Sequence, residues 1–280
     1  MQSRESTKSQ SVRLLQQLLL QGKYVFDKQD AIAVAVSENI PINQLNKILS
    51  NLAKRRQISR LRRGLYVIHT LLAEEMNSHP FIIATHLIQP SAISHWSALQ
   101  HHGLTEQIPQ CVTASTTRKV ITPSMRKKQS ATLKEKHAWK INGIRFEYIN
   151  VLGKNFFGIE KIWLDEHSQV SVTDKERTLL DVFISPKMFG GMGEALGLLE
   201  NVVTNINIQK LVDYALRYGK KSVIKRLGWS LEYFGVEEHI LKPLLEASIH
   251  YYCRLDPTKK AVGHCDKRWM IQNNLMDVEK

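Results

Sequence analysis

The residues best suited to recognition chemistry lie between Ile42 and Ile68, INQLNKILSNLAKRRQISRLRRGLYVI. Asn43, Asn46, Lys47, Ser50, Asn51 and Lys54 supply amides, a hydroxyl and ammonium groups, the side chains that meet base edges and phosphates. An amide pairs with adenine in bidentate fashion, and a lysine reaches the acceptors of guanine. Lys47, Ser50, Asn51 and Lys54 are the first choices for a major groove, and Asn43 and Asn46 the second. Arg55 and Arg56 suit backbone phosphate. Arg60, Arg62 and Arg63 suit phosphate or the neighbouring minor groove, where negative potential favours a guanidinium.

Such groups act together only if regular elements hold them. Leu45, Ile48, Leu49 and Leu52 recur three and four residues apart, which predicts a helix with that stripe buried and the polar set turned outward. Ile58–Leu61 and Leu65–Ile68 flank the turn Arg62-Arg63-Gly64 and predict a hairpin. Upstream, Ser11 is placed to cap a helix carrying Val12, Leu14, Leu15, Leu18 and Leu19, with Gly22 as its stop and residues 1–9 frayed. Asp27 and Asp30 suit the positive end of a second helix through Ala31 to Val36. Glu38-Asn39-Ile40-Pro41 then breaks the chain, and Pro41 starts the third helix. Three helices and an arginine-tipped hairpin within residues 1–72 have the pattern of a winged helix-turn-helix. A solvated helix beside a surface hairpin would carry the same residue types.

Charge follows the same division. Residues 1–70 hold 12 Lys/Arg against 4 Asp/Glu, so +8 of the +13 net charge sits in the first quarter of a 280-residue chain. That asymmetry favours a polyanion, and nucleic acid over a membrane, because no long apolar or basic amphipathic helix accompanies it. A composition 43% hydrophobic and 23% charged excludes a disordered chain. Three scattered cysteines, Cys111, Cys253 and Cys265, make no disulfide framework and suit a reducing compartment. Met1 to Gln10 lacks the apolar centre of a signal peptide, and no apolar run is long enough to span a membrane. A cytoplasmic location is expected.

The second part, residues 76–280, opens at Asn77-Ser78-His79-Pro80. Ser91 is read as the cap of a helix through His101 ended by Gly103, with Ile93, Trp96, Leu99 and Leu104 buried. Cys111–Ala114 reads as a strand, and Arg118–Lys128 as a basic loop. Asn142-Gly143 between alternating apolar residues predicts a tight hairpin. Short strands follow near Ile159–Leu164 and Val170–Val172. Thr173 and Glu176 form a predicted capping box for a helix over Lys175–Ile184. Beyond Gly190–Gly193, read as a flexible connection, helices are expected near 208–218, 222–234 and 237–248, with an apolar alternation at Trp269-Met270-Ile271. The fold class is α+β: a winged helix-turn-helix and a larger mixed α/β domain ending in helices.

Other clusters invite chemistry and carry less. His95, His101, His102 and Glu106 match no common zinc spacing, nor do His250, Cys253, His264 and Cys265. Neither a metal nor another cofactor is expected. Asp165, Glu166, Asp174, Glu176 and Asp181 contain enough carboxylates for a metal-dependent nuclease, yet Thr173 and Glu176 already serve as a cap. No phosphate loop, dinucleotide fingerprint or nucleophile elbow is present, so no catalytic residue is assigned. Lys220, Lys221, Lys225 and Arg226 form a cationic run that is either a solvated helix face or a contact for an acidic partner or nucleic acid.

Two stretches resemble AbiEi-type antitoxins: Leu61–Val67, as the wing, and Ser94–Pro109, as the start of their second domain. Val172–Asp181 and Trp269 fit the same pattern in the same order. The resemblance implies a non-enzymatic antitoxin of a type IV toxin–antitoxin, abortive-infection system. Its winged helix would bind inverted repeats in its own promoter and repress it. Its C-terminal domain would neutralise an AbiEii-like nucleotidyltransferase toxin, with or without stable binding. The alternatives are a winged-helix regulator whose second domain senses a ligand, or one with a nuclease-like domain.

Overall fold

The computed structural model describes residues 2–69, 79–126, 138–141 and 143–275. The chain mixes helix and strand, and clusters into two compact units. One comprises residues 1–92, 118–148 and 161–171; the other comprises 93–117, 149–160 and 172–280. The boundary expected between 72 and 76 lies outside the described residues, as do Asn77 and Ser78.

The first unit starts with helix α1, Gln2–Leu20. The frayed segment expected over residues 1–9 is instead helical from Gln2, since no glycine or proline interrupts the chain before Gly22. Gly22 ends the turn after α1 with φ +66°, and a Cβ there would sit 2.1 Å from that of His167. Only glycine meets both demands. A strand not foreseen in the sequence follows, β1 (Val25–Asp27). Asp27 then caps α2 (Lys28–Ser37), accepting from the Gln29 and Asp30 N–H groups, while Asp30 reaches back to the Asp27 N–H. This is a complete capping box formed by two aspartates.

Pro41 precedes α3 (Ile42–Lys54), whose buried residues are Leu45, Ile48, Leu49 and Leu52, as the spacing predicts. They join Leu14, Leu18, Phe26, Ala31, Val34 and Ile58 in one core. Strands β2 (Ile58–Arg62) and β3 (Leu65–Ile68) form the expected hairpin, and β1 adds to it in the antiparallel order β1-β3-β2. The same unit holds helix α4 (Pro80–Leu87).

Strand β4 (Ser91–Ile93) replaces the start of the helix expected from Ser91. Helix α5 is only His95–His101, because Ser94 is fully extended at φ −154°, ψ 179°. Strand β5 is Val112–Thr116, and β6 (Ala138–Ile141) pairs with β7 (Ile144–Asn150). The register Ile141↔Ile144 leaves a two-residue loop in which Gly143 has φ +82°; Asn142 lies outside the described residues. Strands β8 (Ile159–Trp163) and β9 (Gln169–Thr173) match expectation, and β5, β4 and β9 are neighbours, with β4 and β9 parallel.

The second unit ends in helices α6 (Lys175–Ile184), α7 (Met192–Val202), α8 (Ile208–Tyr218), α9 (Lys221–Tyr233) and α10 (Glu238–Glu246). Their core includes Leu179, Phe183, Leu199, Leu211, Leu227, Leu231 and Leu244. Gly190–Gly193, expected to be a flexible connection, is a tight junction. The Met192 N–H donates to Asp256 Oδ2, and a Cβ on Gly191 would lie 2.9 Å from that oxygen. A small sheet also follows the helices, β10 (Cys253–Arg254), β11 (His264–Asp266) and β12 (Ile271–Asn273), in the order β10-β12-β11. Trp269 therefore precedes a strand, and is fully buried with Nε1 2.5 Å from Glu232 Oε2. No helix among the described residues is long and apolar enough to cross a membrane.

Gly228 in α9 is where Trp269 seats. A Cβ there would lie 2.0 Å and 2.4 Å from ring atoms Cζ3 and Cη2. Gly228→Ala should therefore destabilise the protein by about 1–3 kcal/mol, the usual cost of overpacking, and more than cancel the helix-propensity gain of about 1 kcal/mol. Urea unfolding checks this: a midpoint at or above wild type would mean the ring moves aside freely.

Candidate nucleic-acid interface

With Leu45, Ile48, Leu49 and Leu52 turned into the core, the rotation of α3 is set. Asn43, Asn46, Lys47, Ser50 and Lys54 are exposed and Asn51 is half-buried. Arg55 and Arg56 continue this surface; Arg56 holds φ +58° in the turn that leads into β2. Arg60, Arg62 and Arg63 are exposed at the far end of the hairpin, where the register shifts between Arg60 and Arg62 and Gly64 adopts φ +78°. The Gly64 carbonyl accepts from the Lys28 N–H at 3.0 Å, which ties the turn to the start of α2.

The stretch from Ile42 to Ile68 contains seven Lys/Arg and no Asp or Glu. Among the described residues no carboxylate forms an ion pair with these seven cations. Two arginines have partners within the protein: Arg60 Nε donates to the Arg62 carbonyl at 3.4 Å, and Arg62 Nε donates to the Leu87 carbonyl at 3.1 Å. Sequence reading could not foresee the second, since Leu87 lies 25 residues away. The other nine candidates make no side-chain hydrogen bond or ion pair among the described residues. The structure thus brings the sequence-selected residues onto one unit, with polar groups unspent.

The second cationic run is not a surface. Lys225 and Arg226 are 3% and 7% exposed, and only Lys220 and Lys221 face solvent. Lys225 Nζ donates to the Leu244 and Leu245 carbonyls at 3.2 and 2.8 Å, and Arg226 Nε to the Arg254 carbonyl at 3.1 Å. Helical period alone would turn Lys225 away from Val223, Ile224 and Leu227, but α9 is covered on both flanks, with Val223 to Gly228 all buried, and carbonyls of α10 and β10 take the two cations.

Four of the five carboxylates considered for a nuclease have structural partners, and Glu166 is exposed. Asp174, not Thr173, caps α6 by accepting from the Arg177 N–H at 2.8 Å. Its other oxygen takes the Tyr214 hydroxyl at 2.7 Å and lies 3.1 Å from Lys210 Nζ. Glu176 turns away from the cap to accept from the Asn207 N–H at 3.0 Å and Lys210 Nζ at 2.9 Å. Asp181 pairs with Arg177 at 2.7 Å, both nearly fully buried, while its Oδ2 has no hydrogen-bond partner among the described residues and lies 3.9 Å from His95 Nδ1. Asp165 accepts the His167 and Ser168 N–H groups of a turn.

The histidines do not converge. His95 is buried, bonded through Nδ1 to Ser94 Oγ at 2.8 Å, and burial holds its pKa below the usual range despite Asp181. His102 Nε2 bonds to the Thr173 carbonyl at 2.7 Å. Among the described residues no group of three or more His, Cys, Asp or Glu is placed to hold a metal.

No protein-family model matches the sequence, and no curated protein does. A solved structure shares the fold. The Rv2827c protein from Mycobacterium tuberculosis superposes with a TM-score of 0.61 at 12% identity, over 94% of this chain and 90% of that one. At that identity the likeness is one of fold.

The Glu176 environment gives a pH test. Burial pushes its carboxyl up, but Lys210 and the Asn207 N–H outweigh this and bring it below the ordinary 4.5. The stability it carries is present above that value and lost as pH falls through the folded-state value. In Glu176→Gln that component is absent, so the stability gap between wild type and variant should narrow as pH drops below 4.5. Urea titrations across acidic pH read it; a gap that stays constant would remove the assigned role.

Proposed function

We propose that this chain is a DNA-binding autorepressor and antitoxin, in which the first unit acts as a winged helix-turn-helix. What supports the reading is the outer face of α3 beside the β2–β3 turn: seven cations, no acid, and amide and hydroxyl groups without partners among the described residues. In this reading α3 enters the major groove with Lys47, Ser50, Asn51 and Lys54 toward the bases, Asn43 and Asn46 beside them. Arg55 and Arg56 meet phosphate, and Arg60, Arg62 and Arg63 flank the duplex from the hairpin. Arg62 keeps its bond to Leu87 and offers only its remaining donors, so Arg63 is the freer of the two. Inverted repeats would require two protein molecules, and repression would follow from occluding polymerase.

The antitoxin half rests on the AbiEi resemblance of Leu61–Val67, Ser94–Pro109, Val172–Asp181 and Trp269. It proposes an AbiEii-like nucleotidyltransferase as the partner toxin, neutralised by the second unit by direct or indirect means. Co-expression of the full chain with a nucleotidyltransferase encoded beside it should restore growth. Continued toxicity with soluble protein present would end this half of the proposal.

The DNA half has a sharper test. On duplex from its own promoter, contact with about six phosphates should make log affinity fall with log salt at a slope of about −5. Arg63→Ala should weaken promoter and random duplex alike, whereas Asn51→Ala should lose discrimination at one base position, worth about 1–3 kcal/mol. Gel-shift titrations distinguish them. Equal affinity of the wild type for promoter and random duplex at moderate ionic strength would sink the repressor assignment.

A further inference from the structure

Buried Arg226 uses little of its hydrogen-bonding capacity. Its Nε donates to the Arg254 carbonyl, and its terminal amino groups donate to no protein group among the described residues. A guanidinium carries five N–H donors, and those of Arg226 not met by the protein are not sealed away from solvent. The acid whose charge acts on it, Asp256, is not in ion-pair contact. Its oxygens accept from the Met192 N–H, the Thr258 N–H and the Thr258 hydroxyl at 3.1, 2.8 and 2.6 Å. Burial pushes the Arg226 pKa down.

Arg226 lines a cavity of about 770 Å³ within the second unit, inside the range of about 300–1,000 Å³ usual for small-molecule sites. Lys187 and Lys220 are the other cations on its wall, and no Asp or Glu among the described residues lines it. The Ser185 hydroxyl has no partner among the described residues and is free to donate. Lys220 is also the N-cap residue of α9, a 13-residue helix with no acid in its first turn, so the positive end of the helix dipole adds to the same field. Pro186, Met188 and Pro257 give the remaining wall an apolar surface. Three cations around one space suit a multivalent anion; a single carboxylate would leave two of them uncompensated.

We propose that this cavity binds a phosphorylated small molecule. Arg226 grips the phosphate with its free amino groups, Lys187 and Lys220 supply further charge, and the prolines and Met188 carry the organic body. The site stands on the second unit alone and does not depend on the DNA reading.

Calorimetric titration of the full-length protein tests it, with ATP as the probe and orthophosphate, adenosine and a single-stranded oligonucleotide in parallel. Saturable one-to-one binding of ATP is expected, with no binding of adenosine. Affinity should fall by about tenfold or more in Lys187→Gln/Lys220→Gln, which alters only exposed side chains, and further in Arg226→Gln. Lys242→Gln, an exposed change elsewhere, should leave it unchanged. Orthophosphate binding as tightly as ATP would also support the phosphate grip and assign little to the organic body. No saturable binding of ATP or orthophosphate, adenosine binding as well as ATP, or affinity indifferent to the double variant overturns the proposal. An oligonucleotide held more tightly than ATP, with the same sensitivity to the variants, overturns it in favour of nucleic acid.

Discussion

Burial of one apolar stripe governs the first unit. Leu45, Ile48, Leu49 and Leu52 must leave water, each contributing about 1.5–3 kcal/mol when fully buried, and they lie on one side of α3. Once they meet Leu14, Leu18, Phe26 and Val34, the helix has no rotational freedom left. Its polar side is then turned out, and the chain leaving α3 runs directly into β2. The cationic groups of helix and hairpin thereby share one unit without any attraction among themselves. Like charges repel, so this concentration is sustained by the core beneath it. Interaction with a polyanion would relieve that repulsion.

The second unit uses charge in the opposite way. Asp174, Glu176, Arg177 and Lys210 are drawn together at the start of α6, with Asp181 one turn on, and bond to one another, to Tyr214 and to backbone groups. Breaking such a pair strands a buried charge, which gives the arrangement its geometric strictness. The contrast separates structural charge from available charge. Arg177 is spent on Asp181 and the Asn155 carbonyl, whereas Arg226 lines a cavity with no carboxylate on its wall among the described residues.

Local rules were legible wherever a single element decides the outcome. The α3 stripe, the acidic start of α2, the β2–β3 hairpin, the two-residue loop at Gly143 and the extent of α6 follow from period, helix-dipole chemistry and turn preference. The misreadings arose where a distant partner competes for the same group. Thr173 and Glu176 have the spacing of a capping box, but Lys210 and Asn207 claim Glu176 and leave the cap to Asp174. Ser91 has the type of a cap, yet pairing with neighbouring strands extends the chain through Ser94. Gly190–Gly193 has the composition of a loop, and Asp256 makes it a junction.

Of the candidate interface, the sequence by itself determined which side chains α3 and the hairpin would offer, because helical and strand periods assign faces without reference to any other part of the chain. Tertiary structure alone decided which cations remain available. Arg62 reaches Leu87, and Lys225 and Arg226 go inward with Val223, Ile224 and Leu227. Burial and hydrogen bonding are relations between residues far apart along the chain, and no local period encodes them.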